Sequence, residues 1–553
     1  MKMRKIRFDF WTVMTIAIIA VFALFLIYPL ISLFADGFRA EGTGEFTLAN
    51  FQRFFSKKYY YRALTNSLKL TVAVTICSLL IGVPLAYFMS FFTVKMRTIV
   101  EVLIIISMMS PNFIGAYSWV LMLGRSGVVT TFFRDFLGIQ LPSIYGFGGM
   151  MLVFTLKLYP FIYMYVSGAL KKIDVAVYEA AESLGCSGIK KVFTVVLPLV
   201  LPTAVAAALL VFMNCMADFG TPALIGEGYD VLPTKIYIEF VGESGGSAYF
   251  ASSMASIMVL ITAALFLIQK WYVNRKSFTM SAMRPVKPQK LKGVGNVFMH
   301  IFIYGLVALS IVPQLVVVWT SFRKTQGQYF VDGYSFQSYI KVFDTAWASI
   351  KNTYLYCAVA LVIIIVLGMV IAYLSVRRKS VLTSTIDTIA MFPYIVPGSV
   401  LGITLLLAFN GKGDPMVLSG TAAILIISLV IRRLAYTLRS SSAILYQISP
   451  SMEEAAISLG DNQLKAFLKV TAKMMMPGVV SGAILSWITL INELSSSVML
   501  YTANTRTMSV AIYNEVIRAS YGTAAALATI LTLTTVVSLL LFFKISGSRD
   551  VTM

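Results

Sequence analysis

Of the chain's 553 residues, 58% are hydrophobic and only 12% charged, against about 45–50% and about 25% in soluble domains, which excludes an ordinary soluble protein and points to a polytopic membrane protein. The formal charge of +21 would mean a nucleic-acid partner in a soluble chain, but in a membrane chain the placement of Lys and Arg matters more than their sum, and none is expected here. One histidine, His300, and four cysteines without CxxC spacing, Cys77, Cys186, Cys215 and Cys357, exclude a histidine-based metal site and give no disulfide framework.

About 20 apolar residues in a helix cross a hydrocarbon core of roughly 30 Å. Twelve spans are predicted in chain order, starting near residues 11, 66, 102, 148, 199, 248, 298, 354, 386, 418, 477 and 521. The stretches 10–35, 70–94 and 102–124 carry no charge at all. The first exceeds the about 7–15 residues of a secretory signal core and no small-x-small site follows it, so it is expected to remain as an anchor. Basic residues fill alternate gaps: MKMRKIR, then Lys95 and Arg97, then Lys171, Lys172, Lys190 and Lys191, then the linker KWYVNRKSFTMSAMRPVKPQKLKG. The second half repeats the scheme with Arg377, Arg378 and Lys379, then Arg439, Lys465, Lys469 and Lys473. Arg53, Lys57, Lys58 and Arg62 fall on the other face, but the overall bias places these loops and both termini in the cytoplasm.

The chain is written twice. Asn66, Gly82, Ala86-Tyr87 and Pro111 recur 286 positions later as Asn352, Gly368, Ala372-Tyr373 and Pro397. Glu179-Ala180-Ala181, Ser183-Leu184-Gly185 and Pro202 recur 275 positions later as Glu454-Ala455-Ala456, Ser458-Leu459-Gly460 and Pro477. A longer outer loop, GRSGVVTTFFRDFLGIQLPSIYG, accounts for the difference of 11. Six is even, so the repeats are parallel, related by a pseudo-two-fold axis along the membrane normal with a pathway at their interface. The expected division is 1–62 for the first helix and outer segment, 63–270 for one domain, 271–297 for a cytoplasmic linker, 298–350 for the seventh helix and outer segment, and 351–545 for the second domain.

Each half carries a polar stretch of about 30 residues between its fourth and fifth spans, too long for a tight turn and too polar for lipid. Asp174 is a suitable N-cap for VAVYEAAESLG, which ends at Gly185; ISPSMEEAAISLG has Ser449 and Pro450 at its start and Gly460 at its end. Both predict a short helix, a glycine turn and a second helix running into the next span. The paired alanines permit close approach by a partner, and the acidic residues offer it ionic anchors.

The pattern of Glu-Ala-Ala, three residues, Gly, and a later hydrophobic-x-Leu-Pro resembles the coupling loop of permease subunits in binding-protein-dependent ABC importers. The first copy matches throughout, with Glu179, Ala180, Ala181 and Gly185, then Val195, Leu197 and Pro198. The second matches at Glu454, Ala455, Ala456, Gly460 and Val470, but Ala472 and Lys473 replace Leu-Pro. The tandem arrangement looks like the fused, single-chain permeases of this superfamily. The resemblance implies an all-α polytopic fold of the type I importer class, in a prokaryotic inner membrane, with each loop helix seated in one of two cytoplasmic ABC ATPase subunits and an extracytoplasmic binding protein delivering the substrate. The chain is then no enzyme and needs no cofactor: ATP belongs to the partners, since GxxxxGK[ST] is missing and Gly411-Lys412-Gly413 lacks both the hydroxyl residue and a strand-to-helix setting.

Four charges lie at similar depth inside spans: Lys157 and Asp218 in the first half, Arg432 and Glu493 at the same positions shifted by 275. Intramembrane charges turn to a partner or to a watered path, so the expected pairs are Lys157 with Asp218 and Arg432 with Glu493, either bracing helices or lining the pathway. MADFGTPALIG and INELSSSVMLY look like the matching stretches of fused permeases assigned to ferric iron, whose relatives also move sugar phosphates, phosphonates, thiamine or polyamines. Mid-depth basic residues fit an anion better than a bare trivalent cation unless acidic partners neutralise them. The rival class is a secondary transporter driven by an ion gradient, which would not need two long cytoplasmic Glu-Ala-Ala loops; a membrane enzyme would need a reactive cluster that the sequence lacks.

Overall fold

A computed structural model of the chain describes residues 9–546 apart from 110–111, 187, 243–246, 276–287, 328, 395 and 412–413. The MKMRKIR leader, Pro111, Lys412-Gly413 and much of the 271–297 linker lie outside the described residues. The fold is all-α and polytopic; among the described residues the strands are confined to a short hairpin, Arg323–Gln326 with Tyr329–Tyr334.

Among the described residues nine helices are long and apolar enough to cross a membrane: Phe10–Gly37, Lys58–Phe91, Phe147–Leu170, Val192–Ala217, Ala248–Ile268, Val294–Ser321, Trp347–Arg377, Gln463–Ile491 and Tyr521–Leu541. The other three expected spans are present in different form. The run starting near 102 is helical over Arg97–Met109 and Asn112–Leu123, on either side of the undescribed residues 110–111. The run near 386 is Val381–Ile389 and Gly398–Ala408 with a 3-10 turn between them, as befits Pro393 and Pro397, each of which lacks an amide donor. The run near 418 is one 26-residue helix, Ala422–Gln447, whose charge sets it apart because it carries Arg432, Arg433 and Arg439.

The chain folds into two compact units. Among the described residues, one comprises 55–235 and 260–323 and the other 9–54, 236–259 and 324–546. Membership crosses the sequence repeat. Helix Val294–Ser321, the opening span of the second half, packs on Arg97–Met109 and Asn112–Leu123 in the first unit, where Met299, Ile303 and Leu306 join its hydrophobic core. The N-terminal helix packs on Val381–Ile389 and Gly398–Ala408 in the other unit.

Within each unit the repeat is written in matching contacts. Lys58–Phe91 lies along Phe147–Leu170, and Trp347–Arg377 along Ala422–Gln447. A Cβ on Gly82 would sit 2.6 Å from Cβ of Ile162, and one on Gly368 would sit 3.1 Å from Cγ2 of Thr437; Ile162 and Thr437 are themselves 275 positions apart. Bare backbone at these crossings is what lets helices approach where lipid tails are as apolar as leucine. At the far ends of the same helices, Asn66 Nδ2 donates to the Asp230 carbonyl at 3.0 Å, and Asn352 Nδ2 donates to the Asn504 carbonyl at 2.9 Å. The neighbouring hydroxyls also correspond: Ser67 accepts from the Leu232 amide at 2.8 Å and Thr353 from the Met508 amide at 2.7 Å.

Gly82→Ala is expected to lose about 1–3 kcal/mol through overpacking against Ile162, seen as a lower melting temperature in detergent. Gly115→Ala, whose added Cβ meets nothing within 4 Å, is expected to melt with the unaltered protein.

Candidate functional site

The two polar loops fold alike. Helix Val175–Ser183 starts at Asp174, whose carboxylate accepts from the Ala176 amide at 2.9 Å. Helix Ser451–Ser458 starts after Pro450 with Glu453 and Glu454 in its first turn, where negative charge is favoured by the exposed amides. Both end in the same glycine cap: the Gly185 amide donates to the Glu182 carbonyl at 2.9 Å and the Cys186 amide to Ala181 at 2.9 Å, while Gly460 donates to Ile457 at 3.0 Å and Asp461 to Ala456 at 3.1 Å. With φ at +79° and +99°, Gly185 and Gly460 hold the left-handed conformation that this cap requires. Their surroundings are open, so φ, not crowding, selects glycine.

Glu179, Ala180, Glu454 and Ala455 are exposed, Ala181 is buried and Ala456 half-buried. Between the alanines and each glycine stands a leucine that packs on nothing: Leu184 is 85% exposed and Leu459 90%. A bare leucine at the same register of both loops is the feature that residue-type reasoning passed over, although it lies inside the repeated Ser-Leu-Gly.

Past each loop the chain makes a π-helical turn at the same register, Val192–Val196 and Phe467–Thr471, before Leu197–Ala217 and Ala472–Ile491. Pro198 follows the first, but Ala472-Lys473 follows the second. The widened turn therefore forms without the proline.

Of the four intramembrane charges, Arg432 and Glu493 meet. Arg432 Nη1 donates to Glu493 Oε1, and Arg433 Nη2 donates to Oε2 at 2.5 Å. Arg433 was not singled out in the sequence; its adjacency to Arg432 was the signal. A Cβ on Gly398 would fall 1.9 Å from Arg432 Nη1, so this glycine gives the guanidinium its passage. Glu493 Oε1 also accepts from the Ser496 amide at 3.1 Å. Asp218 makes the matching contact, Oδ1 accepting from the Thr221 amide at 2.8 Å.

Lys157 stands differently. Its Nζ is buried and makes no hydrogen bond among the described residues. It lines a cavity of ≈30 Å³ with Ser107, Ser118, Trp119, Ser310 and Gln314, whereas Asp218 lines another with Thr71 and Cys215. Both side chains are shorter than their counterparts Arg432 and Glu493, and the Asp218 carboxylate acts on Lys157 by charge, without a hydrogen bond to its Nζ among the described residues. The described residues contain no group of three or more His, Cys, Asp or Glu side chains placed to hold a metal.

Comparison with known proteins identifies the family. The family model described as the binding-protein-dependent transport system inner membrane component matches residues 78–278 and again 364–549. The chain is 29% identical over 532 residues to the ferric transport system permease protein FbpB of Actinobacillus pleuropneumoniae, covering 94% of this chain and 75% of that one. It is 29% identical over 495 residues to the putative ferric transport system permease protein FbpB 1 of Haemophilus influenzae, covering 87% and 76%. The spermidine/putrescine transport system permease protein PotB of Haemophilus influenzae is 31% identical over 32% of this chain and 63% of its own. Among solved structures, a bacterial ABC transporter involved in import of the acidic polysaccharide alginate aligns with 48% of this chain and 96% of its own at 20% identity and a TM-score of 0.42.

Glu493→Gln removes the buried carboxylate shared by two half-buried guanidinium groups and is expected to cost about 3–5 kcal/mol, read as a fall in melting temperature and in monodisperse yield. Asp218→Asn, which breaks no hydrogen bond to Lys157, is expected to cost less than half as much in the same assay.

Proposed function

From the premise that the chain belongs to the family of binding-protein-dependent transport system inner membrane components, we propose that its two cytoplasmic loops are the seats of two ATPase subunits and that its cargo is ferric iron. The chain is a multi-pass permease subunit of an ABC importer. The observation that carries the coupling is the pair of matched loops: the same helix, the same glycine cap, the same bare leucine and the same π-turn, 275 positions apart. In this reading Leu184 and Leu459 enter apolar clefts on the ATPases. Glu179 and Glu454 meet basic rims, and the small faces of Ala180-Ala181 and Ala455-Ala456 let the surfaces close. The loops and both termini then lie in the cytoplasm, ATP is bound and hydrolysed by the partners alone, and a binding protein hands over cargo on the opposite face.

Ferric iron is favoured by the two fused permeases that match most of the chain at 29% identity, both named for ferric transport. A second reading, a phosphate-bearing anion, is favoured by one feature of the structure, two arginines converging on a single carboxylate at Glu493. The neutralising acid that a bare trivalent cation's path would call for is matched there by more than one positive charge.

Leu184→Asp with Leu459→Asp is expected to cut ATPase co-purification at least tenfold while the melting temperature stays within about 2 °C, because both side chains are already solvated. Retention of the ATPase by this double variant rejects the loops as its seats. For cargo, ATP turnover in proteoliposomes is expected to rise when a ferric-loaded binding protein is added and not with one loaded with a sugar phosphate; the reverse result selects the anion.

A further inference from the structure

The second cytoplasmic loop is bolted to its membrane helix by a residue outside the Glu-Ala-Ala motif. Glu453 is only half-buried, yet both of its oxygens are engaged: Oε1 accepts from Tyr373 Oη at 2.5 Å and Oε2 from Thr471 Oγ1 at 2.9 Å. Tyr373 belongs to helix Trp347–Arg377 and is fully buried, and Thr471 closes the π-turn after the loop. One carboxylate thus joins the loop helix, the membrane helix and the turn that leads back into the membrane. The end of the same membrane helix grips the loop twice more, Arg377 Nη2 donating to the Ile448 carbonyl at 2.6 Å and Arg378 Nη2 to Gln463 Oε1 at 2.8 Å.

The N-terminal helix locks this joint from its other side. Trp11 is buried, with its ring 4.6 Å from that of Tyr373 and 5.3 Å from that of Phe467, which in turn lies 4.7 Å from Tyr373. Asp9 reaches Arg378 at 3.5 Å. In the first loop the corresponding positions are Tyr178 and Val196, so neither the carboxylate nor the turn hydroxyl exists to make the same clamp. The acid recorded in an ion pair there is Glu182, bound to Lys191 at 2.5 Å, nine residues on within the same loop.

We propose that Glu453 is a positioning residue that makes the second loop helix, helix Trp347–Arg377 and the N-terminal helix move as one body, so that the second ATPase contact is the stiff one of the two. The mechanical part stands on these contacts alone; its role in coupling rests on the reading that the loops seat ATPases. A displacement applied at Leu459 passes through Glu453 into the membrane helix with little lost in the joint. One applied at Leu184 meets a loop that has neither the carboxylate nor the turn hydroxyl of that joint.

Two measurements separate the parts. In the purified full-length chain without ATPase, amide hydrogen exchange over 451–460 is expected to be slower than over 175–185. Tyr373→Phe, which removes one hydroxyl and keeps the ring against Trp11, is expected to speed exchange at 451–460 by about tenfold or more, as befits the loss of one hydrogen bond to a carboxylate, without changing 175–185. Equal rates in the two loops, or no response to Tyr373→Phe, overturns the clamp. In proteoliposomes with the ATPase and a loaded binding protein, Tyr373→Phe and Glu453→Ala are expected to keep the ATPase bound while ATP hydrolysed per substrate imported rises at least threefold. Glu453→Gln, which keeps an acceptor for Tyr373, is expected to fall in between, and Glu182→Ala to change the ratio less than twofold. An unchanged ratio in both Tyr373→Phe and Glu453→Ala, or an equal rise with Glu182→Ala, overturns the positioning role. Failure of the unaltered chain to retain any ATPase instead rejects the coupling reading, and leaves the exchange result to decide the clamp.

Discussion

The close contact between helices on which each unit is built depends on a glycine. In a bilayer no hydrophobic gain drives helix against helix, so van der Waals contact has to come from fit. Gly82 against Ile162 and Gly368 against Thr437 supply that fit at equivalent crossings. Once Lys58–Phe91 and Trp347–Arg377 are seated on their partners, the partners' other features acquire fixed places. These helices carry Lys157 and Arg432 at mid-length, and their C-terminal ends lead into the two loops. In the second unit Gly478 and Gly482 extend the same device to helix Ala472–Ile491, whose glycines meet Ile444 and Ser440 or Thr437.

Duplication fixed the scaffold and left the chemistry free to diverge. The amide contacts of Asn66 and Asn352, the caps made by Asp218 and Glu493, the glycine turns and the π-turns are the same in both halves. The groups that carry charge are not. Glu493 holds two arginines, whereas Lys157 faces a small cavity lined by serines. The loop of the second half is tied outward to a membrane helix through Glu453, and the ion pair of the first closes on itself through Glu182. Backbone geometry tolerates no drift, because an unmade backbone hydrogen bond in lipid costs several kcal/mol. Side chains at the loop roots are bound by no such rule.

The π-turns make the point most plainly. The sequence motif ends in a proline in one half and not in the other, yet the widened turn is present in both. Its cause therefore lies in how the incoming helix must meet its neighbours, with the proline of the first half accommodated by the turn: a residue without an amide donor costs least where the helical ladder is already interrupted.

By itself the sequence determined the membrane class, the twofold repeat with its two registers, the loop helices with their glycine ends, and the shared register of the charged residues. All of these follow from local composition or from a pattern that repeats at fixed spacing, and both can be read along a line. Tertiary structure decided what spacing does not encode. It sent the opening helix of each half to the unit holding the other half, broke the run near 386 into short helices, and brought Arg433 as well as Arg432 to Glu493 while Lys157 Nζ makes no hydrogen bond among the described residues. It also set Tyr373, 80 residues from Glu453, within hydrogen-bond reach. Those outcomes depend on side-chain length, on close approach at glycine and on which apolar faces meet, and all three are settled only when distant segments are packed together.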